Sequence, residues 1–203
     1  MAKLKAPLLS LGASGAIAKA LVYFGWKGLD CVREYVVPAN PKSTAQNTQR
    51  GYLSLAVLNV HLAEAVAGRE LSEVDKTAYA LYGSTEKTPR TWFNQAVARY
   101  VIALVNSEVQ QLLGDGTFTD PATTEITLVL YNYQQHTQAG RMYWGTSKTS
   151  MPNSQVCNGA GDLHTAVMTG FTKGVKYYFQ FRATKETDAQ YAARSGIYHH
   201  VST

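Results

Sequence analysis

Charged residues and cysteines are both scarce in this chain of 203 residues. Asp, Glu, Lys and Arg make up only 16% of the sequence, against about 25% in a typical soluble domain. The two cysteines, Cys31 and Cys157, lie far apart, and no C-x-x-C pair occurs. A disulfide framework and a zinc site are therefore unsupported, and we expect two buried free thiols.

The N-terminal segment lacks the uninterrupted apolar run of a secretory signal or a membrane span. Lys3 and Lys5 precede an apolar stretch, as they would in a signal peptide. Pro7, Gly12 and Lys19 interrupt this stretch before it reaches the ~20 apolar residues of a membrane-spanning helix. We therefore expect folded structure from the start of the chain, synthesis in a host cytoplasm without a signal peptide, and no membrane insertion.

The residue sets that catalysis and metal binding require are also missing. Ser14 lies in a glycine-rich stretch without the G-x-S-x-G pattern of a nucleophile elbow. His199 and His200 make a poor chelating pair, because adjacent side chains of a strand point to opposite faces. Acidic residues of the middle region fall at predicted helix ends, where they interact with the helix dipole; they are Glu64, Glu70, Glu73 and Asp75. We predict that the protein is not an enzyme and holds no metal or cofactor.

The formal net charge is +5, but the basic residues are dispersed. Six of them lie within the first 42 residues, at Lys3, Lys5, Lys19, Lys27, Arg33 and Lys42. A nucleic-acid surface gathers basic side chains on one face, usually within a recognition motif, and the sequence shows no such motif. We interpret these residues as a solvated basic rim and do not expect nucleic acid as a partner.

Tyrosine and glycine are abundant, with 13 and 16 residues. Tyrosine provides a large contact area at low entropic cost and is enriched at interfaces. Together with the low charge, this composition favours a subunit buried in an assembly. An uncharged secreted monomer explains the same composition equally well.

The first forty residues have the pattern of β-structure. Strands are predicted over residues 8–13, 17–26 and 29–37, with a turn between the last two. Pro38 and Pro41 end the ribbon, because proline cannot continue a strand ladder. Since such a ribbon alone is only marginally stable in water, it must pack on its own helices or on a neighbouring chain.

A first helix is predicted over residues 45–67, with Ser43 or Thr44 as its cap and Gly68 as its end. Its apolar stripe is expected to face the core. The stripe consists of Tyr52, Leu55, Leu58, Leu62 and Val66.

Two further helices are predicted before a domain boundary. Ser72 resembles the cap of a helix that ends at Gly83, and Thr88-Pro89 predicts the start of a helix that reaches Leu113. Gly114-Asp115-Gly116 then separates two stretches with different hydrophobic periods. The sequence thus predicts two domains, residues 1–116 and 117–203.

The second domain alternates apolar and polar residues with period two. Strands are predicted over residues 125–133, 141–146, 163–168, 175–181 and 197–201. Val175, Tyr177, Phe179 and Phe181 fall on one face of their strand. Trp144 is expected in the core of this domain.

The C-terminal segment resembles the closing strands of a fibronectin type III domain. The family pattern L-x-G-L-x-x-G-x-x-Y-x-x-x-V-R-A is matched at Gly170, Phe171, Gly174, Tyr177 or Tyr178, Arg182 and Ala183, with Phe171 in the place of the usual Leu. The resemblance implies an immunoglobulin-like β-sandwich. The fold class expected is therefore α+β, with an N-terminal β-ribbon and a small helical domain, followed by this fibronectin type III-like sandwich.

The N-terminal part resembles a group of uncharacterised proteins from phage genomes and phage-related bacterial loci. The matching pattern is G-x-I, V-Y-x-x-W-K-G, V-R-x-Y-V and P-x-N-P-x-[ST]-x-x-Q, with a following Q-R. It falls on Gly15, Ile17, Val22, Tyr23, Trp26, Lys27, Gly28, Val32, Arg33, Tyr35, Val36, Pro38, Asn40, Pro41, Ser43, Gln46, Gln49 and Arg50. The resemblance implies an assembly role rather than a named chemistry.

These observations favour a non-enzymatic structural protein, a phage virion component in the capsid or the tail that displays an immunoglobulin-like domain. Its expected partners are further copies of itself and other virion subunits. The expected assembly interface consists of Tyr23, Trp26, Lys27, Arg33, Tyr35 and Asn40. The alternative hypothesis is an extracellular adhesin module that binds carbohydrate or a cell surface, with a surface glycan as its ligand.

Overall fold

The structure is a computed structural model in which the chain forms two compact units, Met1–Ser43 and Thr44–Thr203. The residues it describes are 3–4, 13–17, 19–27, 29–37, 39–109, 111–135, 140–160, 162–183 and 193–202.

The first unit contains an antiparallel sheet of four strands in the order β1-β2-β3-β4. The strands are β1 (Lys3–Leu4), β2 (Ala13–Ile17), β3 (Leu21–Trp26) and β4 (Leu29–Glu34). The predicted strand over 17–26 is wrong at its start, because the chain turns at Lys19, which has a left-handed φ of 56°. Most of the predicted strand over 8–13 lies outside the described residues.

The second unit begins with three helices, α1 (Thr44–Glu64), α2 (Glu73–Gly83) and α3 (Trp92–Val105). The predicted second helix and its Ser72 cap are confirmed. The predicted third helix is wrong at both ends: Thr91, whose hydroxyl accepts the Asn94 N–H, caps it instead of Thr88. Ser107, with a left-handed φ of 56°, follows the helix end, well before Leu113.

The predicted orientation of α1 is also wrong. The face of α1 that enters the core consists of Ala56, Val60 and Ala63, which pack with α3 and α2 residues such as Tyr100 and Tyr79. Small side chains on this face allow the helices to approach closely. The leucines of the predicted stripe lie on another side of α1 and are exposed.

A seven-stranded antiparallel sheet follows, in the order β11-β10-β7-β8-β9-β6-β5. The strands are β5 (Leu113–Ala122), β6 (Glu125–Asn132), β7 (Gly140–Gly145), β8 (Asn153–Ala160), β9 (Leu163–Thr169), β10 (Lys176–Ala183) and β11 (Tyr198–Val201). The five strands predicted in this region are confirmed with small shifts at their ends. The strands β5 and β8 were not predicted.

The sheet curves over a shared core. β8 pairs with β7 through residues 153–157 and with β9 through residues 158–160, so one strand connects the two halves of the sheet. Leu128 of β6 and Phe179 of β10 belong to the same buried cluster. The rings of Phe118 in β5 and His200 in β11 stack with centroids 4.7 Å apart, so the two outermost strands of the sheet contact each other.

The prediction of a mixed α+β chain with a sheet-rich part is confirmed. The two compact units of the chain meet between Ser43 and Thr44. This division differs from the predicted domain boundary at residue 116. Gly114 and Gly116 lie inside β5, and the helices belong to the same compact unit as the seven-stranded sheet.

The buried carboxylate of Asp75 joins the helices to the sheet. Asp75 occupies the third position of α2, and one of its oxygens accepts hydrogen bonds from the Ser72 N–H at 2.8 Å and the Ser72 hydroxyl at 2.7 Å. Asp75 also accepts the Asp115 N–H at 3.0 Å and the Gly116 N–H at 3.1 Å, both from β5. The Tyr198 hydroxyl of β11 donates to it at 2.7 Å. Three elements therefore share one acceptor group.

Asp75→Asn is expected to lower the free energy of unfolding by about 3 kcal/mol, because buried donors that lose their acceptor cost roughly 1–3 kcal/mol each. Tyr198→Phe removes only one of the donors and is expected to cost roughly 1.5–3 kcal/mol, the usual range for a hydrogen bond to a charged group. Urea unfolding followed by circular dichroism measures both. Glu73→Gln is the matched control, since the Glu73 side chain is 88% exposed. Equal stability of the Asp75 and Glu73 variants would contradict this account.

His164 of β9 is an unusual component of the core. Its side chain is fully buried beside the Phe181 ring, with centroids 4.6 Å apart. Neither ring nitrogen has a hydrogen-bond partner among the described residues. Burial disfavours the charged imidazolium and lowers the pKa of His164 below its usual value of 6.5. The core therefore holds this histidine as the neutral form.

Stability is expected to fall as the pH drops below the unfolded-state pKa of about 6.5, because only the unfolded chain then protonates His164 readily. The loss continues until the pH reaches the lower pKa of the folded state. His164→Phe should remove the contribution of His164 to this loss of stability. The free energy of unfolding of the variant should therefore depend less on pH between pH 7 and 5. Urea titrations of both proteins at several pH values test this, and parallel pH profiles would refute it.

Candidate functional site

The sheet of the first unit carries an exposed apolar face. Strand register places Trp26 opposite Leu29, Phe24 opposite Cys31 and Val22 opposite Arg33. Opposed residues of an antiparallel pair share a face, so these six side chains form one surface, which we call the aromatic face. Trp26 is 60% exposed and Leu29 is 68% exposed. Two large apolar groups are thus presented side by side at the end of the β3–β4 hairpin.

One basic side chain of this face, Arg33, and one beside it, Lys27, lie over its aromatic rings. The Arg33 guanidinium lies 5.4 Å from the centre of the Phe24 ring, and the Lys27 ammonium lies 5.9 Å from the Trp26 ring. A cation over an aromatic ring is attracted by the electron-rich ring face. Lys27 directly follows β3 with a left-handed φ of 50°, which turns the chain next to Trp26. The surface therefore combines apolar contact area with a positively charged border, a composition found at protein interfaces.

The structure brings together only part of the predicted interface. Trp26 and Arg33 belong to the aromatic face, and Lys27 borders it. Tyr23 lies on the opposite face of the sheet and is buried. Tyr35 follows β4, is partly buried, and donates its N–H to the Ala20 carbonyl at 2.8 Å.

Asn40, the sixth predicted residue, lies beyond the sheet in an exposed segment that leads to α1. Phe24 and Leu29 are members of the aromatic face that the sequence analysis missed. The signal that could have identified them is the two-residue period of β3 and β4 with a hairpin turn after Trp26, which places alternate residues of both strands on the same side.

A cleft of about 410 Å³ lies in the second unit. It is lined by Glu73, Val74, Thr77, Ala78, Phe118, Tyr198, His199 and His200, from α2, β5 and β11. One of its walls is the stacked pair of Phe118 and His200, and the His200 ring nitrogen Nε2 lies 2.9 Å from the Asp120 carboxylate. The carboxylate fixes the orientation of the ring. An aromatic wall beside hydroxyl and carboxylate groups can contact a small polar ligand.

Both cysteines are free, as predicted. Cys157 is buried in the sheet core, and burial raises the pKa of its thiol to about 12. The expectation of a second buried thiol is wrong, because Cys31 is only partly buried on the aromatic face.

Within the described ranges, no three His, Cys, Asp or Glu residues are grouped so that they could hold a metal ion. The same part of the chain contains no helix with the length and apolarity needed to cross a membrane.

Trp144, which was expected in the core of the sheet domain, is partly buried at the margin of that core. The centroids of the Trp144 and Phe171 rings are 5.9 Å apart.

Comparisons with protein-family models and with curated proteins found no match for this chain.

Proposed function

We propose that the protein is a non-enzymatic assembly subunit that binds neighbouring subunits through the aromatic face of its N-terminal sheet. The observation that carries this proposal is the joint exposure of Trp26 at 60% and Leu29 at 68% on one face of that sheet. Exposing such groups to water costs free energy, and burying them against another protein recovers it. The cationic border favours a partner surface with acidic or carbonyl groups.

We further propose that the seven-stranded sheet is the fibronectin type III-like domain that such a subunit displays. Strands β5, β6 and β9 lie together at one end of the sheet order, and β7, β10 and β11 lie at the other. Their inward side chains share one core, as the two layers of an immunoglobulin-like sandwich do.

The turn between β9 and β10 supports the same assignment. The hydroxyl of Tyr177, at the start of β10, accepts the Thr172 N–H at 3.1 Å. A tyrosine near the start of the sixth strand that hydrogen-bonds the backbone a few residues upstream is a recurrent feature of immunoglobulin-like sandwiches. Between Tyr177 and Tyr178, this contact favours Tyr177 as the match to the family tyrosine.

The assignment to a phage virion, as a capsid-associated or tail subunit, rests on the resemblance of the N-terminal residues to phage-encoded proteins. Five residues of that pattern lie on β3 or β4, among them Trp26 and Arg33. The proposed location is therefore the virion, with other virion subunits and further copies of the chain as partners. Mass spectrometry of particles purified from the source phage tests the location directly.

Trp26→Ala and Leu29→Ala are expected to abolish incorporation into particles, since truncation at a central interface residue often costs about 2 kcal/mol or more of binding free energy. Val37→Ala is the matched control, because Val37 is 72% exposed but lies outside the strands. Particle yield, measured by sedimentation, should fall for the first two variants only. Thermal unfolding should change little for all three. Normal incorporation of both sheet variants would overturn the proposal.

The alternative function, an adhesin module that binds a surface glycan, is favoured by the cleft beside Phe118 and His200. A sugar ring could pack against this wall while Thr77 and Glu73 bond its hydroxyl groups. Glycan-array binding by the full chain, with loss in Thr77→Val and retention in Trp26→Ala, would support this function. Absence of glycan binding together with assembly that depends on Trp26 would reject it in favour of the assembly subunit.

A further inference from the structure

Three arginines lie side by side on the outer face of the seven-stranded sheet. Strand register places Arg182 of β10 opposite Arg141 of β7 and, on its other side, opposite Arg194 of the segment before β11. Phe181 belongs to the core, so its neighbour Arg182 points outward. Opposed residues share a face, and like charges placed in this way oppose strand pairing. We call these three side chains the arginine row.

Arg182 and Arg194 form an especially close pair. Backbone hydrogen bonds of 3.0 and 3.1 Å, donated by the N–H groups of the residues that follow each of them, flank the pair on both sides. The Cα atoms of such a non-hydrogen-bonded pair lie only about 4.5 Å apart. Partial burial, together with the charge of Arg194, lowers the pKa of Arg182 below its usual value. The two positive charges therefore repel each other in the folded protein.

Tyr143 separates the other two guanidinium groups. The Arg182 guanidinium lies 4.6 Å from the centre of the Tyr143 ring, and its Nε donates to the Gln180 side chain at 3.1 Å. The Arg141 Nε donates to the Ser154 hydroxyl at 3.1 Å. Gln180 and Ser154 are the residues opposite Tyr143 on its two neighbouring strands. The two guanidinium groups are thus held on either side of one ring.

The arginine row has no counter-charge within the described part of the chain. No Asp or Glu there forms an ion pair with any of its members. The side-chain hydrogen bonds of Arg182 and Arg141 are made to uncharged groups of Gln180 and Ser154. Both arginines are partly buried. Charges at such positions interact more strongly than they do in bulk water, because the effective dielectric constant is lower.

The carboxyl end of α2 lies beside the row but does not use its charge. Tyr82, in the last turn of α2, is close enough to interact electrostatically with Arg182. Basic side chains near a helix end often bond its last carbonyl groups. Here the carbonyl groups of residues 81–83 accept hydrogen bonds from residues 84, 85 and 90 instead. The arginine row is therefore available to a ligand.

The size and charge of the row indicate which ligand fits. Its three Cα atoms span only about 10 Å, which suits one compact anion. A phosphate monoester carries a charge of about −1.5 to −2 at pH 7 and three strong acceptor oxygens. A carboxylate offers one charge and two oxygens. Guanidinium groups bind phosphate through parallel hydrogen bonds.

We propose that the arginine row is a binding site for the phosphate group of a small ligand, with Arg182 at its centre and Arg141 and Arg194 on either side. The site lies in the second unit. It stands whether or not the aromatic face binds virion subunits.

Sodium phosphate should raise the melting temperature of the full chain until the site is saturated, because a ligand that binds only the folded state stabilises it. Sodium chloride at equal ionic strength should not, and sodium acetate should have a much smaller effect. Calorimetric titrations with inorganic phosphate and with glycerol phosphate compare two sources of the group. Equal affinity assigns the site to free phosphate, and tighter binding of the ester assigns it to a phosphorylated small molecule.

Arg182→Gln should weaken phosphate binding by about ten-fold or more, since it removes hydrogen bonds to a charged ligand. Arg33→Gln is the matched control, because Arg33 also lies over an aromatic ring, that of Phe24, but on the aromatic face. Arg33→Gln and Trp26→Ala should both keep the wild-type affinity, so failure of the aromatic-face proposal is distinguishable from failure of this one. Circular dichroism shows whether each variant is folded.

Arg194→Gln separates binding from a structural role. In phosphate-free buffer this variant should have a higher melting temperature than the wild type, because it relieves the repulsion of Arg182. It should also lose most of the rise that phosphate causes. A lower melting temperature without phosphate, a phosphate effect equal to that of chloride or acetate, or unchanged phosphate affinity in Arg182→Gln would each overturn the proposal. A single-stranded oligonucleotide that binds and is not displaced by phosphate would overturn it in favour of a nucleic-acid surface.

Discussion

The second unit depends on one buried carboxylate, that of Asp75. A charged group in a core is costly unless hydrogen bonds replace the water it loses. Here two donors come from Ser72, two from β5 and one from Tyr198. None of these elements can shift without leaving either the carboxylate or a backbone N–H without its partner. The start of α2, the start of β5 and the start of β11 are therefore fixed relative to one another.

The same junction explains how two hydrophobic clusters behave as one unit. Adjacent residues of α2 enter different clusters: Ala78 packs with the sheet core, and Tyr79 packs with the helical core. The Ile197 N–H donates to the Ala78 carbonyl at 2.9 Å, and a Cβ at Gly196 would come within 2.7 Å of the Ala78 backbone. Glycine at this position permits the close approach of the β11 segment to α2. Helices and sheet are thus joined through the backbone as well as through side chains.

The sequence predicted those elements whose signals are local. Ser72 followed by Asp75 is a capping pattern within four residues. In β6 and β10, every second side chain is apolar, which indicates a strand with one buried face. Strand β5 escaped prediction because its sequence, LGDGTFTDPA, is rich in turn residues, and its pairing with β6 is interrupted by two register shifts. Strand β8 is not predicted by the sequence pattern, because few of its residues are apolar and because it pairs with β7 over one part and with β9 over another.

The candidate surfaces were predicted only in part for a related reason. Apolar periodicity shows that a helix has an apolar stripe, but it does not show which stripe faces the core. In α1 the leucine stripe was the stronger signal, yet the alanine face is buried because small side chains let α3 approach. Likewise, Trp26 can be assigned to an exposed face only when the register of β3 and β4 is known. That register depends on the position of the hairpin turn.

The long reach of the Asp75 contacts has a consequence for the order of events during synthesis. Asp75 and Tyr198 are 123 positions apart in the chain. At roughly 5–20 residues per second, a ribosome needs several seconds or more to add the intervening segment. Throughout that interval α2 can exist as a solvated helix with its own cap, but its carboxylate has only part of its final set of donors. The Ala78 side of α2, which belongs to the same buried cluster as Tyr198 of β11, must therefore stay exposed to solvent until this last strand is made and the unit can close.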